Sequence, residues 1–282
     1  EEMISVWRAK ARKADEIAMT AWWAQIDAWR ARNSLGYRQT GDTIKPQYAV
    51  ERLYKLTRER KTFITTEVGQ HQMWAAQHYR FEEPNRWMTS GGLGTMGYGI
   101  PAAVGVQVAH PDALVIDIAG EASVQMTMQE MSTAVQYRLP IKIFILNNEY
   151  MGMVRQWQQL LHGGRYAHSY SEALPDFVKL AEAYGGKGIR GRYSESYSEA
   201  LPDFVKLADA MGGVGIRCEK PSELDAAIAE MIAVKKPVIF DCVVDKLENC
   251  YPMIPSGAAH DEMILPDAVE GAGVSEAGKM LV

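Results

Sequence analysis

A carboxylate and two amides stand at the ends of two consecutive predicted strands. The apolar run Leu114–Ala119 is typical of a buried parallel strand, and the tight turn that follows it carries Glu121. Residues 141–146 predict the next strand, which ends at Asn147 and Asn148, and the first of these lies twenty-six residues after Glu121. Open parallel sheets bind ligands at the carboxyl ends of their strands. Oxygen ligands of this kind suit a Mg²⁺ ion that also holds a phosphate.

The connection between these strands predicts a helix that carries Met126, Met128, Met131 and Val135. The stretch therefore forms a strand–turn–helix–strand unit of the kind found in α/β proteins. Polar residues at strand ends are common in such units whatever their function. The spacing by itself leaves two interpretations open, a cation site and an ordinary α/β unit.

The sequence of this stretch resembles the diphosphate-binding motif of thiamine diphosphate enzymes, in which Gly-Asp-Gly precedes Asn-Asn at a similar separation. The segments QEMSTAVQYRLPIKIFILNN and GMVRQWQ resemble the acetolactate synthase family in particular. Two positions depart from the family pattern, since Glu121 replaces the metal-binding aspartate and Ala122 replaces the second glycine. Glutamate is longer by one methylene, and Mg²⁺ demands near-ideal octahedral geometry, so the departure at Glu121 bears directly on the metal site.

The resemblance implies a set of site residues. The metal ligands would be Glu121, Asn148 and the backbone carbonyl of Tyr150. Met153, Val154 and Trp157 would line the substrate channel, where the tryptophan favours a second 2-keto acid as acceptor. Without the resemblance, Met153 and Trp157 are simply one apolar face of a helix, four positions apart. The residues expected to contact thiamine diphosphate are Gln70, His71, Gly94, Met96, Gly120, Glu121, Ala122, Ser123, Asn148, Tyr150, Met151, Gly152 and Met153.

A glycine-rich stretch, SGGLGTMGYGI, occupies residues 90–100. Gly92, Gly94 and Gly97 satisfy the spacing G-x-G-x-x-G, which in dinucleotide-binding proteins follows directly on a strand. The preceding segment FEEPNRWMT predicts a poor strand. We therefore expect helix or coil before Ser90, and that outcome would exclude a nicotinamide-dependent oxidoreductase.

Two further segments resemble cofactor-contacting parts of the family. Glycines also let a backbone approach a flat ring closely, and in the family's SGG-x-G-x-MG loop the methionine, here Met96, supports thiamine diphosphate in its bent conformation. Residues 61–68 predict the first strand and Gly69 begins a helix, so Gln70 and His71 lie just past a strand end. A lone histidine is usually structural, but in the similar family segment a glutamine and a histidine reach the diphosphate.

Composition and the chain's first residues limit the remaining possibilities. The 282 residues suffice for one large domain or two small ones. A net charge of −5 argues against a nucleic-acid partner, and the three cysteines show no metal-binding spacing. The sequence contains no run of eighteen apolar residues and no signal-peptide pattern, so a cytoplasmic protein without membrane association is expected. The chain begins without methionine inside a helical pattern, which suggests a fragment.

Two segments lie outside these motifs. Residues 1–32 are rich in helix formers and carry four tryptophans, which predicts an amphipathic helix packing on the domain; a face covered by a neighbouring domain or chain is the alternative. Residues 164–190 and 191–217 are a tandem repeat that differs at five of twenty-seven positions. The sheet has room for one copy. We expect it to be the second, because Val214 suits a buried strand better than Lys187.

Together these features predict a three-layer α/β/α fold with a mostly parallel, doubly wound sheet, the diphosphate-binding domain of the thiamine diphosphate enzymes. Residues 1–41 would be a helix and linker from a preceding domain, residues 42–250 the cofactor-binding domain, and residues 251–282 a tail that folds over the active site. The chain is thus identified as the C-terminal part of a member of the acetolactate synthase family.

The resemblance also implies the activity and the partners. The family decarboxylates pyruvate on thiamine diphosphate and joins the product to a second 2-keto acid, pyruvate or 2-ketobutyrate, in branched-chain amino acid biosynthesis. FAD would be held mainly by a middle domain, and the activating glutamate by the pyrimidine-binding domain of a partner subunit, so this chain is expected to be inactive alone. A homodimer or tetramer with the full-length subunit and a regulatory small subunit are expected. Another thiamine diphosphate-dependent decarboxylase or oxidase, and a catalytically silent fragment, remain alternatives.

Overall fold

A computed structural model describes residues 1–10, 15–31, 33–171, 205, 208, 212–259 and 262–265. Its centre is a six-stranded sheet in the order β2-β1-β3-β4-β6-β5, in which every neighbouring pair is parallel. The strands are β1 (Thr62–Thr66), β2 (Trp87–Thr89), β3 (Leu114–Ala119), β4 (Lys142–Asn147), β5 (Val214–Cys218) and β6 (Val238–Val243). The described helices are α1 (Glu2–Ala9), α2 (Glu16–Ala31), α3 (Pro46–Thr57), α4 (Gln70–His78), α5 (Gly99–Ala109), α6 (Glu121–Val124), α7 (Glu130–Gln136), α8 (Gly152–Leu160) and α9 (Leu224–Ala233).

Two apolar layers lie on opposite faces of the sheet. Because successive side chains of a strand point to opposite faces, Ile64, Ile116 and Phe144 pack with α3, α4 and α9 on one face. Phe63 and Val115 pack with α5 and α7 on the other. Burial of both faces explains why the strands are almost continuously apolar. The predicted three-layer, doubly wound fold is confirmed.

The central strands bring three loops to one edge of the sheet. In the parallel register Thr66 pairs with Ile118, and Ala119 pairs with Ile145, so β1, β3 and β4 end side by side. The segments that follow these strands start at residues 67, 120 and 148. Sequence positions about eighty residues apart thus meet because of strand order alone.

The helix predicted to carry Met126, Met128, Met131 and Val135 is present only in part. The chain forms two short helices, α6 and α7, and only Met131 and Val135 lie in α7. The intervening residues pack against the glycine-rich loop. Thr127 Oγ1 donates to the carbonyl of Gly97 at 3.1 Å, and a side chain at Gly97 would lie 2.9 Å from Cβ of Met126. Gly97 has φ of +87°, which only glycine adopts easily. This close contact breaks the helix.

The expectation of helix or coil before Ser90 is also wrong. Strand β2 ends at Thr89 and pairs with β1, with Trp87 opposite Ile64. An edge strand needs only a few paired residues, and here a hydrogen bond of 2.6 Å from the hydroxyl of Thr66 to that of Thr89 adds to the pairing. Because a strand precedes Ser90, this criterion does not exclude dinucleotide binding. The contacts of the glycine-rich loop must decide instead.

The N-terminal helices do not pack on the domain as predicted. Neither α1 nor α2 has a buried residue, and Trp7, Trp22, Trp23 and Trp29 are each about half exposed. The two faces of the sheet already pack against α3, α4 and α9 and against α5 and α7, so these tryptophans do not contribute to either core layer among the described residues. A face covered by a neighbouring domain or chain stays a prediction. Among the described helices, none has the length and apolar character needed to cross a membrane.

The second repeat copy provides the edge strand β5, as expected. Val214 pairs with Val238, and Ala208 of the same copy is fully buried beside α5 and α7. Arg217 Nε donates to Asp241 Oδ2 on the neighbouring strand at 2.8 Å. The corresponding strand of the first copy, residues 187–190, lies outside the described residues.

Deletion of residues 164–190 should leave the melting temperature unchanged or raise it, and should reduce aggregation. The second copy already provides β5, and its residues 196–198 repeat the Ser-Tyr-Ser of positions 169–171. The matched control is deletion of residues 191–217, which places Lys187 where Val214 now stands and should melt at a lower temperature. Differential scanning calorimetry measures both. A clear loss of melting temperature on the first deletion would show that both copies belong to the core.

Candidate functional site

A cavity of about 560 Å³ opens at the carboxyl edge of the sheet. Loops after β1, β3 and β4 form its walls, and Pro252, Met253 and Ile254 of the C-terminal segment cover one side. The residues assigned to the cofactor and to the channel all line it: Gln70, His71, Gly94, Met96, Gly120, Glu121, Ala122, Ser123, Asn148, Tyr150, Met151, Gly152, Met153 and Trp157. The structure thus brings together residues that the sequence places up to 87 positions apart.

Glu121 is a carboxyl group buried in the wall of this cavity. Its side chain is buried, and Oε1 has no hydrogen-bond partner. Burial raises the pKa of Glu121 to about 8, although the backbone N–H groups of Glu121 and Asn148 both favour the ionised form. A carboxylate buried with one free oxygen is stabilised by a cation. The site therefore fits a metal ion.

The two asparagines after β4 have separate roles. Asn147 donates through Nδ2 to Asp241 Oδ1 at 3.0 Å, which ties β4 to β6. Asn148 instead lines the cavity, and its Oδ1 accepts the backbone N–H of Tyr150 at 3.2 Å. Only the second asparagine is placed to act beside Glu121. No group of three or more His, Cys, Asp or Glu side chains suited to a metal occurs among the described residues, so further ligands here must be amide, backbone or ligand oxygens.

His71 contributes a buried, neutral imidazole to the wall of the cavity. Burial lowers its pKa to about 3, so the ring is uncharged at neutral pH. Its Nε2 lies 3.4 Å from Ser123 Oγ, which links the turn after β3 to the start of α4. Glycine at 120 is required for this contact, because a side chain there would lie 2.7 Å from Nδ1 of His71.

Glu67, which the sequence reasoning missed, holds the glycine-rich loop. Its fully buried carboxylate accepts the backbone N–H groups of Gly97, Gly99 (2.9 Å) and Ile100 (3.2 Å) at the start of α5. Negative charge is favoured at a helix N-terminus. The only sequence signal was a charged residue directly after an apolar strand. The anchored loop places Gly94 and Met96 at the cavity.

A second buried carboxyl, Asp117, lies beside Glu67. Burial, and then the charge of Glu67, raise the pKa of Asp117 well above its ordinary value. Asp117 receives one hydrogen bond, from the hydroxyl of Thr65 at 3.0 Å, and its Oδ2 has no partner. Burial also raises the pKa of Glu67, but its backbone N–H donors lower it again, so the negative charge of the pair is favoured on Glu67 and the proton on Asp117.

The anchoring of the glycine-rich loop by Glu67 argues against the dinucleotide-binding interpretation. A dinucleotide fingerprint needs the N–H groups at the start of the following helix to bind a pyrophosphate. In this chain those of Gly97, Gly99 and Ile100 are bound by Glu67. The G-x-G-x-x-G spacing therefore serves a different purpose here.

The predicted channel residues lie at the mouth of the cavity. Trp157 and Val154 are each nearly half exposed, although both are large apolar side chains. Together with Met153 they also line an adjoining cleft of about 520 Å³, which reaches His162 and Arg165. This face of α8 is therefore not core packing but the wall of an opening.

Comparison with known proteins agrees with this geometry. The family "Thiamine pyrophosphate enzyme, C-terminal TPP binding domain" matches residues 67–201 and again residues 190–242. The second matched segment begins inside the tandem repeat. The chain belongs to this family of thiamine diphosphate-binding domains.

The similar proteins are acetolactate synthases. The chain is 41% identical to the acetolactate synthase large subunit of Haemophilus influenzae over 94% of this chain and 41% of that protein. It is 43% identical to the isozyme 3 large subunit of Escherichia coli, over 86% and 38% of the two chains. The mitochondrial catalytic subunit of Saccharomyces cerevisiae is 44% identical over 86% and 32%. The chain thus spans less than half the length of these curated relatives.

Replacement of Glu67 by glutamine should lower the free energy of unfolding by about 2 kcal/mol, because an NH₂ group would then face backbone donors. Thermal or urea unfolding measures the loss. Glu59→Gln is the control, since Glu59 is exposed and its change should have little effect. Equal stability of Glu67→Gln and the unchanged protein would show that the loop is held by other contacts.

Proposed function

We propose that this chain is the cofactor-holding part of an acetolactate synthase catalytic subunit, and that its cavity binds thiamine diphosphate with Mg²⁺. The observation that carries the proposal is the buried Glu121 carboxylate, whose Oε1 has no partner, in a cavity lined by every expected site residue. Its similarity to named acetolactate synthase subunits supports the particular activity.

The donor set fits a magnesium diphosphate. Glu121, the side-chain oxygen of Asn148 and the carbonyl of Tyr150 would hold the metal, and phosphate oxygens would complete its coordination. Gly120 and Gly152 leave room at the cavity wall, since a side chain at Gly152 would overlap Gln70. Neutral His71 adds no charge that would compete with the metal.

The remaining residues would orient the cofactor and exclude water. When bound, thiamine diphosphate provides the chemistry that decarboxylates a 2-keto acid. Met96, held by the loop that Glu67 anchors, would support the ring system. The apolar side chains of Met153, Trp157 and Met253 would shield the reacting end from water and leave an opening for a second 2-keto acid.

The full reaction requires more than this chain. In the acetolactate synthase family, FAD and the activating glutamate belong to other domains, the latter from a partner subunit. We therefore propose pyruvate and a second 2-keto acid as substrates of a homodimer or tetramer of the complete subunit, with a regulatory small subunit as a further partner. A location in the cytoplasm is proposed on the same basis.

Isothermal titration calorimetry of the 282-residue chain with thiamine diphosphate tests the proposal. Binding should require Mg²⁺ and should be lost in Glu121→Ala. The chain incubated alone with pyruvate, cofactor and Mg²⁺ should form no acetolactate above the rate of the free cofactor. Absence of Mg²⁺-dependent binding would refute the cofactor site, and binding that Glu121→Ala leaves unchanged would refute the metal ligands named here.

Glu121→Asp should tighten Mg²⁺-dependent cofactor binding about fivefold, or about 1 kcal/mol, because the shorter side chain relieves strain at an octahedral metal. Calorimetry on both proteins at equal Mg²⁺ measures the difference. Asp112→Glu, on an exposed turn, is a control for the expression and handling of such variants. Equal affinity would mean that the turn has already adjusted to glutamate.

A further inference from the structure

A buried chain of side-chain amides connects the C-terminal segment to the proposed metal ligand Asn148. It begins at Gln156 of α8, which pairs with both backbone groups of Cys250. Gln156 Oε1 accepts the N–H of Cys250 at 2.7 Å, and its Nε2 donates to the carbonyl of Cys250 at 3.0 Å. A backbone N–H can only donate and a carbonyl can only accept, so the orientation of the Gln156 amide is fixed.

The orientation of the Gln156 amide in turn fixes the orientation of the Gln70 amide. Gln156 Oε1 also accepts Nε2 of Gln70 at 2.8 Å, and the same NH₂ group donates to the carbonyl of Glu248 at 3.1 Å. Both hydrogens of the Gln70 amide are therefore used, and its Oε1 must point the other way. The predicted contact of Gln70 with the diphosphate stays a prediction, but in this geometry its NH₂ group is already committed.

The last link is Asn148. Gln70 Oε1 accepts a hydrogen bond from Asn148 Nδ2 at 3.2 Å, and on the other side Asn148 Oδ1 accepts the backbone N–H of Tyr150, also at 3.2 Å, so the two contacts favour the same orientation of the amide. A reversed Asn148 would set its oxygen against Oε1 of Gln70 and its NH₂ group against the N–H of Tyr150. The side chains of Gln70, Asn148 and Gln156 are 4% exposed or less, so each unmade bond would carry a desolvation cost.

The middle of this chain of amides is closely packed against the start of α8. A side chain at Gly152 would lie 2.7 Å from Cδ of Gln70 and 3.0 Å from Nδ2 of Asn148. Glycine at this position therefore allows the helix backbone to lie directly against the middle of the chain of amides. Gln156 also donates to Met253 Sδ at 3.1 Å, which adds a second contact to the C-terminal segment.

We propose that Gln156 is a positioning residue for the cation. Through Gln70, and in the same sense as the Tyr150 N–H, it holds the side-chain oxygen of Asn148 toward the metal. This inference rests on the proposed function, since it concerns the same cation. Groups that orient metal ligands typically change metal affinity by ten- to a hundredfold when removed.

The test is a Mg²⁺ titration of thiamine diphosphate binding by calorimetry. Gln156→Met keeps the length of the side chain but cannot orient Gln70, and should raise the Mg²⁺ midpoint about tenfold. The matched control is Gln159→Met on the same helix, whose Oε1 accepts from Arg155 and Asn249 and takes no part in the chain of amides. It should change the midpoint less than about twofold, and an equal effect of both variants would overturn the proposal.

A double-mutant cycle separates positioning from general destabilisation. Gln156 and Asn148 interact through Gln70, so in an Asn148→Ala background the Gln156→Met change should have almost no further effect on the Mg²⁺ midpoint. Additive effects of the two changes on the Mg²⁺ midpoint would overturn the proposal. Additivity is expected if Gln156→Met only destabilises the fold and does not act through Asn148.

A ligand-free measurement distinguishes failure of this inference from failure of the proposed function. In NMR spectra of the chain without cofactor, the side-chain NH₂ of Asn148 should exchange slowly with solvent in the unchanged protein and in Gln159→Met, and fast in Gln156→Met. Unchanged exchange in Gln156→Met would overturn the proposal. If the three proteins show the expected exchange but bind no cofactor, the proposed function fails and the orientation of Asn148 by Gln156 stands.

Discussion

The candidate site depends on one electrostatic constraint, the buried carboxyl group of Glu121, whose pKa is raised to about 8 by burial. A buried charge costs several kcal/mol unless a partner of opposite charge is present. Glu121 has backbone donors, and its Oε1 has no hydrogen-bond partner. The fold therefore contains a place that fits a cation. The order of β1, β3 and β4 matters because it brings the other polar groups of the wall to the same point.

The loops around this point are held by buried polar contacts rather than by apolar packing alone. Glu67 binds the start of α5, and Gln156 binds the C-terminal segment, each with essentially no exposure to solvent. Such contacts fix the positions of the loops more narrowly than apolar packing does, because each polar group can hydrogen-bond to only a few neighbours. Glycines at 97, 120 and 152 allow the close approach of Met126, His71 and Gln70, respectively. Rigid walls of this kind reduce the cost of ordering the site on binding.

Local patterns predicted the central strands and the polar residues at their ends, whereas most of the residues that line the cavity were implied by the family resemblance. Apolar runs ending in polar residues identify β3, β4 and the site residues Glu121 and Asn148. Sequence reasoning missed Glu67 and Gln156 because the partners of a buried polar side chain lie on other elements, and Gln156 sits in a helix whose pattern shows nothing unusual. The break between α6 and α7 depends on a contact with Gly97 that no local pattern encodes. The exposed tryptophans of α2 were assigned to packing because an amphipathic pattern does not say which surface is free.

The most direct test of this account is a crystal structure of the chain with thiamine diphosphate and Mn²⁺ in place of Mg²⁺, with anomalous scattering to locate the metal. The account predicts one metal peak about 2.1 Å from Glu121 Oε1, Asn148 Oδ1 and the Tyr150 carbonyl, with diphosphate oxygens completing an octahedron. A metal peak away from Glu121, or a diphosphate bound at the N-terminus of α5 in place of the Glu67 carboxylate, would contradict it.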